Sequence, residues 1–391
     1  MLQNKNLSSI FKKNWFFLAG LFVYLSLIWV YIVPPIIAQN DIQIVRLDEI
    51  NRCIKDGQIP CRYVPDLKNL YGYPLFNYYA PLPYYFGELI FLLTNSLLFS
   101  AKIMLLFSFI GSYIFMYLLI NQFLNGLKRT LLALSYSLIP YVIFKLNVKD
   151  SIGEMWGLMF LAASFYAVKK LAEQTNIKNL LLASIFLAFL VTSYQLSLLV
   201  FLPVLCIFII ILFIKTRKVK FLWFNLAAGF LAILLSAFYL LPMLFEIQLT
   251  RSDYLPSFVK ETPSVRGLSR YEVLTGDSNV FDFKEGTNWL SFKTDTKTHT
   301  IIRLSKYYFP DWKVFVDGKE IQVDYRNNDM GLITFLLGVG NHTINARLYD
   351  TPIRALSNLI TLAGLSMTMA LFLVSFVRVR KWIRYYRKGI N

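Results

Sequence analysis

Long apolar runs separated by short polar joints fill the chain up to residue 246, and a different rhythm begins after residue 250. Apolar runs of about 17–25 residues have the length of a helix that crosses a bilayer core. Such runs fall at about 14–34, 103–121, 131–146, 155–170, 179–193, 196–214 and 222–246, and again at 356–377. A ninth apolar segment, 82–100, carries Glu88 and is broken by Thr94-Asn95-Ser96. Between 251 and 354 alternation replaces the long runs, which predicts strands half covered by a core. The expected strands are Arg270–Leu274, Trp289–Lys293, Thr300–Leu304, Lys313–Val316, Glu320–Val323, Leu332–Leu336 and His342–Leu348. Asp317-Gly318 is a strong hairpin signal among them. Many short strands at this spacing predict a β-sandwich.

Charge turns this pattern into a topology. The chain carries a formal net charge of +17. The surplus lies in five short basic stretches: Lys5 with Lys12 and Lys13, Lys128-Arg129, Lys169 to Lys178, Lys215 to Lys220, and the tail Arg378 to Lys388. Residues 35–81 hold 5 basic and 5 acidic residues, and 247–354 hold 14 and 13. Short loops rich in Lys and Arg stay cytoplasmic, so the balanced regions are expected across the membrane. Eight spans with both termini cytoplasmic satisfy every basic cluster. Segment 82–100 is then interfacial or re-entrant, since a full crossing there would turn every later cluster outward. The expected organisation is a helical module over 1–250, an extracytoplasmic sandwich over 251–354, and a C-terminal span with a basic tail over 355–391. Basic clusters that flank spans answer anionic lipid and insertion polarity, not nucleic acid.

The residue inventory narrows the chemistry. Cys53 and Cys61 share the first outer loop, where a bridge and two free thiols both remain open. The chain has two histidines, His299 and His342, both in the expected sandwich. That excludes a histidine dyad or a multi-histidine metal site in the helical module. No Walker loop or CxxC pair occurs. Any base there is a carboxylate, and two outer segments supply them: Asp41 to Glu49, and Lys145 to Glu154. Asp150 and Glu154 are four apart and share a helix face. A carboxylate at a membrane mouth is costly and usually has a partner or a task. The plain alternative is local pairing with Lys149. Residues 57–85 are dense in Tyr, Pro and Gly and include Arg62, Asp66, Tyr73 and Tyr78. They read as an aromatic belt, as a platform for a sugar or phospho-sugar headgroup, or as both.

The segments Arg62…Pro65-Asp66-Leu67, Tyr71-Gly72-Tyr73-Pro74-Leu75-Phe76-Asn77-Tyr78 and Pro81-Leu82-Pro83-Tyr84-Tyr85 carry a resemblance. So do Pro140-Tyr141, Gly153-Glu154, Ser236-Ala237-Phe238…Glu246, Tyr308 to Lys319, Gly340…His342-Thr343-Ile344 and Thr351-Pro352-Ile353-Arg354. With them the chain resembles bacterial polytopic membrane proteins that carry the "6-pyruvoyl-tetrahydropterin synthase-related" membrane domain. That family is similar in turn to the GT-C class of membrane glycosyltransferases. The resemblance implies a mainly α membrane protein: a GT-C-like seven-span helical module, an extracytoplasmic β-sandwich and a C-terminal transmembrane helix, in a bacterial cell membrane. It also implies a polyprenyl-phosphate-linked sugar as donor and a glycan or lipid acceptor. Asp41 would then deprotonate an acceptor hydroxyl or bind a divalent cation, and Glu154 matches the acid of the second outer motif. The chain departs from the family at Gln43 or Val45, at Ser193-Tyr194-Gln195 and at Lys149-Asp150, where family members carry His, Ser-His and Arg.

Membrane glycosyl transfer is the expected function, with Asp41 and Glu154 catalytic. Arg46 and Arg62 are expected at the donor phosphate, and Asp66, Tyr73, Tyr78 and Asp150 at the substrate. The alternative is a catalytically inactive envelope protein that binds lipid or glycan during polysaccharide assembly.

Overall fold

The computed structural model describes residues 3–32, 41–67, 70–121, 123–138, 151–249, 269–327 and 331–388. The chain divides into two compact units. The first comprises Met1–Ile44, Ala80–Leu240 and Leu359–Asn391, and the second Val45–Tyr79 and Leu241–Asn358. Residues 45–79 thus belong to the same unit as the strands, whereas their sequence position grouped them with the helical module.

The described helices are α1 (Gln3–Ile32), α2 (Asp41–Lys55), α3 (Leu75–Tyr78), α4 (Pro81–Thr94), α5 (Leu97–Ile120), α6 (Gly126–Ser137), α7 (Ile152–Glu173), α8 (Ile177–Ser193), α9 (Gln195–Thr216), α10 (Val219–Glu246) and α11 (Pro352–Lys388). Leu97–Ile120, Val219–Glu246 and Pro352–Ser375 are long and apolar enough to cross a membrane. Trp15–Trp29, Ile177–Ser193 and Val200–Thr216 are shorter apolar helices. Segment 82–100 is not one element. At 14 residues α4 is about 21 Å long, short of a bilayer core of about 30 Å. Asn95, left-handed at φ 53°, ends it, and Ser96 caps α5 by accepting a hydrogen bond from the Phe99 N–H at 3.2 Å. The span expected from 103 therefore starts at Leu97. That expected over 131–146 is helical to Ser137, and its end from 139 lies outside the described residues.

Two apolar clusters lie among the described residues of the first unit. Tyr24, Phe109, Tyr113 and Ala133 join α1, α5 and α6, while Leu171, Leu181, Leu205 and Phe221 join α7 to α10. Gly111 lets α5 approach α7, since a Cβ there would lie 2.2 Å from Met159 Sδ. Buried hydroxyls return their protons to their own helix: Ser112 to Ser108 O (2.7 Å), Ser184 to Leu180 O (2.9 Å) and Ser236 to Ala232 O (2.8 Å). A hydroxyl among apolar helices needs a partner, and the carbonyl one turn back is the nearest.

Among its described residues the second unit holds eight strands: β1 (Tyr271–Thr275), β2 (Ser278–Glu285), β3 (Trp289–Thr296), β4 (Thr300–Tyr307), β5 (Trp312–Val316), β6 (Lys319–Ile321), β7 (Leu332–Leu337) and β8 (Gly340–Leu348). They form a three-stranded sheet, β1-β4-β7, and a five-stranded sheet, β2-β3-β8-β5-β6, antiparallel throughout. Strand β2 is the one the alternation does not reveal. It is an edge strand with a register shift between Phe281 and Lys284, and Asp282 there has φ 55°. A bulge of this kind breaks the two-residue period. The hairpin expected at Asp317-Gly318 joins β5 and β6, with both residues at positive φ (51° and 82°). Inward-facing Leu290, Phe292, Ile302, Trp312, Val314, Phe335 and Ile344 make one core, and Tyr63 of the first loop joins it. Trp312 is 3% exposed and meets the Tyr63 ring edge-on at 5.6 Å. Gly72 makes this seating possible: its φ is +82°, and a Cβ would lie 1.9 Å from the Tyr63 hydroxyl.

Candidate functional site

In the first unit the candidate site centres on Glu154. This carboxylate sits in the first turn of α7 and is 7% exposed. A helix N-terminus favours negative charge there. Trp156, two residues along, is buried, and its indole N–H donates to Met104 O at 3.0 Å, fixing the rotation of that turn. Its ring packs with Phe86, Phe107 and Phe160. Helices α8 and α9 are separated by one extended residue, Tyr194 (φ −164°, ψ 106°), whose hydroxyl donates to Glu154 Oε1 at 2.8 Å. Neighbouring Ser193 is fully buried, and its hydroxyl has no partner among the described residues. Glu88, 2% exposed, lies on α4, a helix that packs on α5, α7 and α8. The Tyr84 hydroxyl of α4 donates to Gln43 Oε1 of α2 at 2.5 Å.

The remaining expected site residues have varied fates. Asp41 opens α2, and its side chain lies outside the described residues, as does all of Asp150. No Asp41–Glu154 separation is therefore described. Arg46 lies with its guanidinium 4.6 Å from the centre of the Tyr79 ring. Arg62 is buried: it donates to Asn77 Oδ1 (3.1 Å) and Asn358 Oδ1 (2.8 Å) and lies 3.5 Å from Asp350. Asp66 is paired with Arg52, and its N–H donates to Glu49 Oε1 at 3.2 Å. Tyr73 forms an antiparallel bridge with Val64. The Tyr78 hydroxyl donates to Glu246 O at 3.0 Å.

Arg62 and Tyr78 thus belong to a buried network of the second unit that the residue pattern alone does not reveal. Its centre is Glu246, fully buried at the end of α10. Fully buried Arg354 donates through Nε to Glu246 Oε2 at 2.9 Å. The Thr351 hydroxyl reaches Oε1 at 2.6 Å and the Asn77 amide reaches Oε2 at 3.0 Å. Arg354 also donates to Pro310 O and Tyr349 O and lies over the Phe309 ring, 4.2 Å from its centre. A lone Glu closing an apolar run is the signal that points to such a centre.

Cys53 and Cys61 are joined in a disulfide. Gln58 braces the loop between them: Oε1 accepts from the N–H groups of Arg62 and Tyr63, and Nε2 donates to Tyr63 O and Thr287 Oγ1. One turn away, Glu49 is 1% exposed, and its Oε2 has no hydrogen-bond partner among the described residues. Burial, reinforced by Asp66, pushes its pKa up to about 8 against the partial opposition of Arg52. Among the described residues no group of three or more His, Cys, Asp or Glu side chains is placed to hold a metal ion.

No protein-family model matches the chain, and no solved structure matches it. An uncharacterized protein of Lactococcus lactis subsp. cremoris is 27% identical over 221 residues, covering 52% of this chain and 36% of the relative. The chain thus matches about a third of that relative's length.

Proposed function

We propose that the chain is a multi-pass membrane glycosyltransferase that moves a sugar from a polyprenyl-phosphate carrier to a cell-envelope acceptor. The observation that carries this reading is Glu154, a carboxylate buried at a helix start in the apolar unit and held by the Tyr194 phenol at a break between two helices. Non-helical backbone beside a buried carboxylate in a helical membrane unit is costly, and is kept where it lines a site. In this reading Glu154 takes or orients the acceptor proton. Asp41, just beyond the first apolar helix, is the second acid or a ligand of a divalent cation. Arg46 is the candidate for the donor phosphate. The Cys53–Cys61 bridge supports an extracytoplasmic second unit, because such bonds persist in oxidising compartments. The basic N-terminus and tail then remain cytoplasmic.

A second reading has its own support. The segment up to residue 250 holds no histidine, since His299 and His342 both lie beyond it, as expected of an envelope protein that binds lipid or glycan without turning it over. The test is the purified chain in lipid nanodiscs with a panel of polyprenyl-phosphate sugars, with Mg²⁺ or Mn²⁺ and with EDTA. Transfer that falls steeply, to a small residual rate, in Glu154→Gln and Asp41→Asn supports the transferase. Donor binding without turnover in the wild type selects the second reading.

A further inference from the structure

Tyr194 is half-buried and is the single residue between α8 and α9. Its N–H closes α8 by donating to Leu190 O at 3.2 Å, while its extended backbone starts α9. The side chain donates across 40 residues of sequence to Glu154 Oε1. The Trp156–Met104 hydrogen bond holds the turn that carries Glu154. With that turn fixed, the freedom left to the carboxylate is rotation of its own side chain, and the phenol is a group that restrains it at Oε1. A carboxylate that must meet a proton in one direction gains from a fixed rotamer, because misplacement by about 1 Å costs about 100-fold in rate.

We propose that Tyr194 is the positioning residue for Glu154, holding its carboxylate in the orientation used for proton transfer. The inference rests on the transferase reading above. It makes the one-residue helix break a device for aiming a phenol, and it assigns Tyr194 no direct contact with substrate.

A double-mutant cycle in the full chain tests it, using wild type, Tyr194→Phe, Glu154→Gln and the double variant in nanodiscs. Tyr194→Phe is expected to lower kcat about 10–100-fold with KM within about twofold. The double variant is expected to be no slower than Glu154→Gln, since a residue that acts through Glu154 has nothing left to position. Tyr194→His, which keeps a ring N–H donor, is expected to restore most of kcat and guards against a Phe variant that folds poorly. Losses that multiply in the double variant, or a Tyr194→Phe protein with wild-type kcat, overturn the positioning role while leaving the transferase reading intact. A wild type that moves no sugar from any donor overturns the transferase reading, and the positioning role falls with it.

Discussion

Ser112, Ser184 and Ser236 in the first unit, and Glu246, Arg354 and Lys306 in the second, are all buried polar side chains. They are satisfied by opposite means. The hydroxyls return to carbonyls of their own helices, so each helix is nearly self-sufficient and packs through apolar surface and close approaches such as Gly111. The charged groups are answered by residues far away in the chain. Glu246 meets Arg354 across 108 residues and Asn77 across 169, and Lys306 donates to Leu70 O across 236. Local satisfaction leaves helices free to be arranged by packing, whereas distant satisfaction makes the second unit all-or-none. The first strategy suits a solvent that offers no hydrogen bonds, and the second trades desolvation for specificity.

The largest effect should come from breaking the distant network. Arg354→Met leaves Glu246 buried without its guanidinium and is expected to destabilise the second unit by about 3–5 kcal/mol. Hydrogen exchange across β5 and β8 should report the loss. Glu246→Leu combined with Arg354→Met should recover much of it, and a double variant as weak as the single one would contradict the pairing.

Next in size is the disulfide. Cys53→Ala with Cys61→Ala is expected to cost about 2–4 kcal/mol. It should expose the Gln58 loop to proteolysis while α5, α7 and α8 keep their protection. Gly111→Leu is the counterpart in the first unit, with an expected cost of about 1–3 kcal/mol from overpacking against Met159. Its damage should stay within the helices, and loss of protection in β3 or β8 would argue against two independent modes of satisfaction.

Glu49 gives a pH signature. Its carboxyl stays protonated to about pH 8 in the folded unit, against an ordinary 4.5. Unfolding within that window releases a proton, so stability from this group is complete below about pH 4.5 and is lost as pH rises to about 8. Glu49→Gln should remove the slope: its melting temperature should gain on wild type between pH 5 and pH 8, and parallel curves would show that Glu49 is ionised in the folded state. The smallest effect belongs to Lys313–Glu320, a surface pair at 3.2 Å on the β5–β6 hairpin, where Lys313→Ala should cost under about 1 kcal/mol.

What the sequence revealed follows the same division. Helices of the first unit were legible where their apolar runs are local. Seven strands of the second were legible by alternation, and β2 was hidden by the bulge at Asp282. Helix α2 was not expected, although Gln43, Leu47, Ile50 and Cys53 fall on one buried face at helical spacing. Glu154 could be singled out because an acid at the start of an apolar run stands out. Its partner Tyr194 could not, since nothing local links residues 40 apart. Arg62 was expected at a phosphate because guanidinium suits phosphate, but only three-dimensional closure reveals that Asn77, Asn358 and Asp350 already engage it.

The reach of the Glu246 network also sets a timetable. A ribosome that has just delivered residue 80 has made Arg62, Asn77 and Tyr78, but neither the carboxylate nor the guanidinium they surround. Arg62 and Asn358, joined in the finished unit, are 296 residues apart. At about 5–20 residues per second the early loop waits on the order of 15–60 seconds for its last partner. During that interval its Tyr-rich surface and its thiols are open to chaperones, oxidants and proteases. A nascent chain stalled before Arg354 should therefore be cut in this loop, while one stalled beyond Asn358 should not.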